Sequence, residues 1–365
     1  MSDVLKQQIN AAIAAYPAPY LETDLISAGA VKAITVTEDQ QAHIQIDLGF
    51  PHKAIAEQLQ AGLQQQLTPI AGLQAIHIDI DSHIVAHTVQ QGAKRLLEIK
   101  NIIAIASGKG GVGKSTVAVN LALALQAQGA TVGLLDADIY GPSQAHMLGV
   151  TASPDMRNGK QLLPVMSHGL QTMSIAYLIG SKDTPMVWRG PMVSNALQQL
   201  LYETLWQAVD YLIVDLPPGT GDIQLTLAQK IPVSGAVIVT TPQELALLDA
   251  RKALRMFEKV HISVLGVVEN MSHYACPACG HEAHIFAHGG GKRMADQYGI
   301  DLLGNIPLAE EVRVQADDGQ PIVMAQPDCD MSQSFAKIAC KVAAKLSLQA
   351  QDYAAKFPNI VVENK

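Results

Sequence analysis

Cysteine is scarce in this chain, with four in 365 residues. That is too few for a disulfide framework, and Cys276 and Cys279 stand only two residues apart, so reduced and available thiols are expected. No run approaches the ~20 apolar residues that a membrane helix needs. The start, Met-Ser-Asp-Val-Leu-Lys-Gln-Gln, lacks a basic region followed by an apolar core. A cytoplasmic protein with no membrane partner is therefore expected. The tail from Asp352 to Lys365 is interrupted by Pro358 and only mildly basic, which disfavours an amphipathic anchor. No block of lysine and arginine occurs, and the formal net charge is −8, which argues against broad nucleic-acid binding. The 48% hydrophobic content over 365 residues suffices for a sizeable core and for two or three domains.

The most informative stretch is Ser107 to Thr116. It follows the apolar run Ile102 to Ala106 and precedes Val117 to Leu125, so a short buried strand should feed a glycine-rich turn and then a helix. Gly108, Gly113, Lys114 and Ser115 fit the phosphate-loop template. In it backbone N–H groups from Gly108, Lys109, Gly110, Gly111, Val112, Gly113 and Thr116 wrap the phosphates, Lys114 neutralises their charge and Ser115 ligates Mg²⁺. Lys109 is a second lysine in a loop whose phosphate chain already has Lys114. The Lys-Gly-Gly-Val-Gly-Lys-Ser form resembles the deviant loop of the MinD, ParA and nitrogenase iron protein group. That resemblance implies a homodimer in which Lys109 reaches across a nucleotide sandwich into the partner.

From Asn101 onward, short β-rich runs (Ile102 to Ser107, Thr131 to Asp136, Tyr211 to Asp215, Ala236 to Thr240, Ser263 to Val268) alternate with helical patterns. That order predicts an α/β fold, a P-loop NTPase with a mostly parallel sheet flanked by helices and nucleotide at the strands' carboxyl ends. Between Val150 and Pro191 the pattern breaks into Gln161 to Val165 and Leu170 to Ser174, read as a hairpin insertion. Residues 1–85 read as a separate α+β domain: an amphipathic start, a hairpin from Val31–Thr37 and His43–Leu48, a helix over Ala54 to Leu67 and a strand from Ala75 to Ile80. Residues 86–100 form a polar linker, and residues 101–365 the ATPase domain. His43, His77, His83 and His87 are better read as surface or satisfied groups than as a metal site.

Acidic residues at strand ends supply the remaining phosphate chemistry. One strand ends in Asp136-Ala137-Asp138-Ile139-Tyr140-Gly141-Pro142-Ser143, and another runs into Asp215-Leu216-Pro217-Pro218-Gly219-Thr220-Gly221-Asp222. Asp215 would bind Mg²⁺ through water, and the N–H of Gly219 would contact the γ-phosphate. By resemblance to the MinD and ParA group, Asp138 positions the attacking water and Asp136 supports the metal shell; helix capping is the plainer alternative. Asn270 ends a further strand with an amide able to pair with a purine edge. The resemblance places the base between it and the Gly304 to Leu308 segment, including Pro307, and favours ATP over GTP.

Soon after Asn270 comes Cys276-Pro277-Ala278-Cys279-Gly280, whose thiolates can project from one turn toward a common metal. A [4Fe-4S] cluster on four thiolates needs a second such pair, which a two-fold dimer supplies. Zinc with His281 or His284, a redox thiol pair and a purely structural turn stay open as alternatives. Cys340 falls among Ile338, Val342 and Leu346 at helical spacing and reads as core. Taken together, the motifs at 108–115, 136–143, 215–222 and 269–280 make residues 98–350 similar to the Mrp/ApbC-type iron-sulfur cluster carriers, and the first domain resembles the SufT-like small domain that precedes many of them. The resemblance implies slow ATP hydrolysis, carriage of a [4Fe-4S] cluster, apo iron-sulfur proteins as recipients and a cluster donor. A MinD/ParA-like spatial-organisation ATPase and a cluster-bearing reductase are the competing functions.

Overall fold

The computed structural model describes residues 2–90, 93–178 and 190–352. The reading of the tail beyond Asp352 lies outside them. In chain order the first elements are α1 (Ser2–Ala14), β1 (Val31–Val36), β2 (Gln41–Leu48), α2 (Ala56–Leu67) and β3 (Ala75–Ser82). β1 and β2 pair antiparallel, and β3 joins β2 in parallel. One face of this sheet is covered by α1 and α2, whose helical spacing buries Ile9, Ile13, Leu59, Leu63 and Leu67. Each such side chain contributes roughly 1.5–3 kcal/mol by burial. The other face carries the exposed His77 and Asp79, with His77 stacked on His43 at 4.8 Å between ring centroids.

The larger part continues with β4 (Ile99–Ala106), α3 (Lys114–Ala127), β5 (Val132–Asp136), α4 (Gln144–Met147), β6 (Met156–Arg157), β7 (Gln161–Leu162), β8 (Val165–Ser167) and β9 (Leu170–Ser174). Then follow α5 (Gly190–Tyr202), β10 (Val209–Asp215), α6 (Asp222–Lys230), β11 (Gly235–Thr240), α7 (Glu244–Lys259) and β12 (Val264–Asn270). The chain goes on through β13 (Tyr274–Ala275), β14 (Glu282–Ala283), α8 (Gly290–Tyr298), β15 (Leu302–Ile306), α9 (Glu310–Asp317), α10 (Ile322–Ala325) and α11 (Asp330–Ser347). The main sheet has the order β15-β12-β11-β4-β10-β5-β9-β8, parallel except for β8. Strand order reverses around β4, so the loop after it opens into a crevice at the carboxyl ends, the place where such sheets bind ligands.

The segment expected as a hairpin insertion pairs differently. Gln161–Leu162 pairs with Met156–Arg157, while Leu170–Ser174 joins the main sheet in parallel with β5 and turns back only on the short β8. The polar Gln171 and Thr172 of β9 are both buried. Gln171 exchanges two 2.8 Å bonds with the backbone of Gln207, and Thr172 Oγ1 donates to Val165 O at 2.7 Å. Local partners thus replace the water these side chains lose.

α3 is apolar on all sides because it is buried on all sides, from Val117 to Leu125, between the sheet and α11. Its C-terminal end meets the first domain through Gln128, whose Oε1 accepts from Ala54 N at 2.7 Å, and α11 meets it through Lys345, which pairs with Glu22 at 3.1 Å. Between the domains, His87 is buried against Asn101 (Nδ1 to Oδ1, 2.9 Å), and its burial pushes the imidazole's pKa down. Gln90 donates to Ala228 O at 2.8 Å and accepts from Val233 N at 2.9 Å, so these residues are tied to the larger domain.

Candidate nucleotide and metal site

The phosphate loop is shaped by what presses on it. A Cβ at Gly108 would run into the backbone of Asp249 in α7, and Gly113 takes φ +81° with the Asn270 amide packed against it. Glycine is the residue that tolerates both demands. Ser107 Oγ donates to Lys109 O at 2.9 Å, and the loop then enters α3 at Lys114, whose first-turn N–H groups are the orphan donors that favour an anion. The resulting cavity, ≈ 210 Å³, is lined by Lys109, Gly111, Lys114, Ser115 and Asp138 among others.

Parallel pairing sets Asp136 opposite Asp215 at the ends of β5 and β10. Both are fully buried, and Asp138 nearly so. Lys114 Nζ bonds Asp215 and lies 3.8 Å from Asp138 Oδ2 and 3.2 Å from Ser115 Oγ, so the loop lysine sits among the carboxylates. Asp136 accepts from Asp138 N at 3.2 Å, Gln144 N at 3.1 Å and Ser174 Oγ at 3.2 Å, which makes it the brace of the turn after β5. Burial, reinforced by the neighbouring Asp215, pushes its pKa up to about 7 against those donors. Asp138 is also raised, by burial first and against the pull of Lys114.

A raised carboxylate has a definite signature in stability. Between its unfolded value of 3.8 and about 7 the native state holds more protons than the unfolded one, so this contribution is fully present below 3.8 and is lost as pH rises through 7. Asp136→Asn removes that titration. The difference in melting temperature, variant minus wild type, is therefore expected to rise from pH 4 to about 7 and then level off. A difference that stays constant from pH 4 to 8 would show that Asp136 does not titrate in this window.

The segment after β10 is held against the loop. Gly219, at φ +104°, donates its N–H to Ser107 O at 2.9 Å, and Gln224 Nε2 donates to Pro218 O. For Gly219 to meet a γ-phosphate, the bond to Ser107 must open. Lys109 Nζ lies 3.4 Å from Gln243 Oε1, at the start of α7. A second cavity, ≈ 440 Å³ and bordered by Tyr140, Pro217 and Ile223, shares Asp138 and Pro218 with the phosphate cavity.

Pairing of β12 with β15 sets Asn270 opposite Ile306, next to Pro307. Gly304 to Ile306 thus belong to β15 itself. Asn270 Nδ2 donates to Val112 O at 2.9 Å, so its amide also braces the phosphate loop. Directly after it, Ser272 N donates to Ile306 O at 3.0 Å and Leu308 N to His273 O at 2.7 Å. On this stapled base stands a two-stranded knuckle, β13 with β14, closed by Cys276 N to His281 O at 3.0 Å and Gly280 N to Cys276 O at 2.8 Å. Both thiols are free, Cys276 half-buried and Cys279 exposed. The N–H groups of Ala278 and Cys279 point at the Cys276 sulfur, and with the Cys279 side chain they lower its pKa, favouring the thiolate that metals bind. His284 packs instead with His273 and His288. Among the described residues, no third cysteine, histidine or carboxylate converges on the pair.

Cys340 is buried in α11, its thiol pushed up to about 11 by burial, and Cys329 caps that helix by accepting from Ser332 N at 3.4 Å. Sequence reasoning overlooked Gln144, which is 1% exposed. Its Nε2 lies 2.8 Å from Asp215 Oδ2 and 3.1 Å from Ser115 O, and its Oε1 is buried with no partner among the described residues, an arrangement that typically costs about 1–3 kcal/mol. A polar residue at the first position of a helix was the only hint.

The chain is similar to known proteins over most of its length. A family model described as the NUBPL iron-transfer P-loop NTPase matches residues 98–343, and one described as an iron-sulfur cluster assembly protein matches residues 6–80. The iron-sulfur cluster carrier protein of Pseudomonas fragi is 53% identical over 279 residues, 76% of this chain and 97% of that one. That of Escherichia coli K12 is 45% identical over 350 residues, covering 96% and 94%. Among solved structures, the nucleotide-binding protein of Archaeoglobus fulgidus in complex with ADP aligns with a TM-score of 0.57 at 37% identity, over 66% of this chain and 94% of that one. Such identity over nearly the whole of both carrier chains is decisive: the chain belongs to the NUBPL-type iron-transfer P-loop NTPases, the family of the iron-sulfur cluster carrier proteins.

Proposed function

We propose that the protein is an ATP-dependent carrier that holds a [4Fe-4S] cluster between two copies of the chain and passes it from a donor to apo iron-sulfur proteins. The observation that carries this reading is the continuity of one segment. Asn270 braces the phosphate loop at Val112, and six residues later the same stapled strand end presents Cys276. A loop that shifts with nucleotide therefore shifts the base of the knuckle. Each chain brings two thiols, so four-thiolate ligation needs a second copy. Lys109 would reach that copy after leaving Gln243, and Asp138 would orient the attacking water beside the cavity it shares with Pro218. Free thiols of this kind suit a reducing compartment such as the cytoplasm.

The Mg²⁺ that accompanies ATP suits the residues present. Ser115 and Asp215 offer oxygen alone, the donor set of a hard cation, and Gln144, whose Nε2 bridges their segments, holds a buried Oε1 with no partner among the described residues. When bound, the ion would neutralise phosphate charge during transfer. The backbone loop and Lys114 would cradle the phosphates, and Asn270 with Pro307 would flank the base.

A second reading, spatial organisation of the MinD or ParA kind, would need a membrane or DNA surface. Among the described residues no helix is long and apolar enough to cross a membrane. The deciding experiment is anaerobic loading of the full chain, followed by mass, iron and sulfide analysis and mixing with an apo-ferredoxin. About four iron and four sulfide per two chains are expected, with transfer that changes with ATP. Zinc at one ion per chain, or no transfer, would overturn the carrier reading.

A further inference from the structure

Gln144 is the buried group that the ATPase parts named so far do not use. It joins three segments: its N–H holds Asp136 at 3.1 Å, its Nε2 holds Asp215 at 2.8 Å, and the same Nε2 reaches Ser115 O at 3.1 Å. The backbone contact spans 8 residues of sequence and the two side-chain contacts 71 and 29, so the residue is a cross-tie rather than a local cap. Its Oε1 is shielded from solvent and has no donor among the described residues. A carboxamide held this firmly by its nitrogen cannot turn to pair its oxygen without giving up Asp215. With no donor among the described residues, the partner that suits Oε1 is a water, whether held by the protein alone or carried in by a ligand. A hydrated Mg²⁺ brings several waters, each a strong hydrogen-bond donor.

We propose that Gln144 is a positioning residue for the hydrated metal. Nε2 holds the Asp215 carboxylate beside Ser115, the two residues expected to serve the ion, and Oε1 accepts from a water of its shell. The inference rests on the Mg-ATP reading above. It concerns the metal increment of nucleotide affinity, which can be measured apart from turnover.

The test is equilibrium binding of a fluorescent ADP analogue to the full chain, with Mg²⁺ and with EDTA, for wild type and Gln144→Met. Methionine keeps the length and loses both polar atoms, the Nε2 donor to Asp215 and the Oε1 acceptor. The expected result is a Mg²⁺ increment reduced by roughly 10-fold or more in Gln144→Met, with binding in EDTA within about two-fold of wild type. A full increment in Gln144→Met overturns the proposal. So does parallel loss of binding in EDTA, which would make the residue structural support alone. Absence of nucleotide binding in the wild type under both conditions would instead sink the ATPase reading on which the proposal stands.

Discussion

Lys114→Ala is expected to lower nucleotide affinity by on the order of 100-fold or more, whereas Lys109→Ala leaves affinity within a few-fold and stops turnover. Lys114 opens α3 at the phosphate cavity and is the cation facing Asp138 and Asp215. A charge-assisted hydrogen bond to phosphate is worth about 1.5–3 kcal/mol, and the loop lysine makes more than one. The substitution also strands buried carboxylates, at a cost of about 3–5 kcal/mol when one partner of such a pair is removed. A fall in melting temperature should therefore accompany the loss of binding. Lys109 differs in each respect: it is part-buried, lies near Gln243 and sits 134 residues from that partner in sequence. If it serves the transition state of a second copy, its loss should resemble loss of an arginine finger, roughly 10³-fold or more in turnover with binding intact. Fluorescence titration with an ATP analogue and steady-state phosphate release separate the two variants. Equal loss of affinity in both would place the two lysines in one role.

The contrast between these lysines shows how far sequence could be read. Lys114 was legible because its neighbours explain it: an apolar run before, glycines around and a helix after. The strand-end places of Asp136 and Asp215 were legible too, since each closes a run of apolar residues. Contacts between distant segments were not. No periodicity reports that Gln144 touches Asp215 across 71 residues, or that Asn270 spends its amide N–H on Val112 across 158. β9 reads as half of an insertion hairpin because its run is short and stands beside another short run, whereas its main partner is β5, in parallel, a pairing that no local pattern reports. The first domain's hairpin and helix lie close to where alternation and helical spacing predict them, because one face of that sheet is wet.

Asp136 links the stability of the site to its chemistry. It holds the turn that carries Asp138 and, through the backbone of Gln144, the side chain that orders Asp215. A carboxylate whose proton is lost near pH 7 in such a place makes the rigidity of the turn depend on nearby charge. A bound cation favours the ionised form, so metal binding and proton release should be coupled at this residue.

Cys276→Ala and Cys279→Ala are each expected to reduce bound iron and sulfide to roughly a tenth of wild type or below, the largest effect of any substitution at the knuckle. The two thiols are the whole contribution of one chain, since no third ligand converges on them among the described residues. Losing one from each copy leaves two thiolates where a cubane cluster takes four. The positions are not equivalent in detail. Cys276 is half-buried and receives the N–H groups of Ala278 and Cys279, which ease its ionisation, while Cys279 is exposed. Cys329→Ser and Cys340→Ala serve as controls, because Cys329 caps α11 and Cys340 lies in the core with its thiol held protonated. Both should keep wild-type iron and sulfide, with any cost appearing in melting temperature alone. Mixed dimers carrying one wild-type chain and one Cys276→Ala, Cys279→Ala chain decide between a shared and a private site. A shared cluster is lost from the mixed dimer entirely, whereas a private one survives at half occupancy. Survival at half, or unchanged content in either single variant, would remove the knuckle from the interface and the proposed bridging geometry with it.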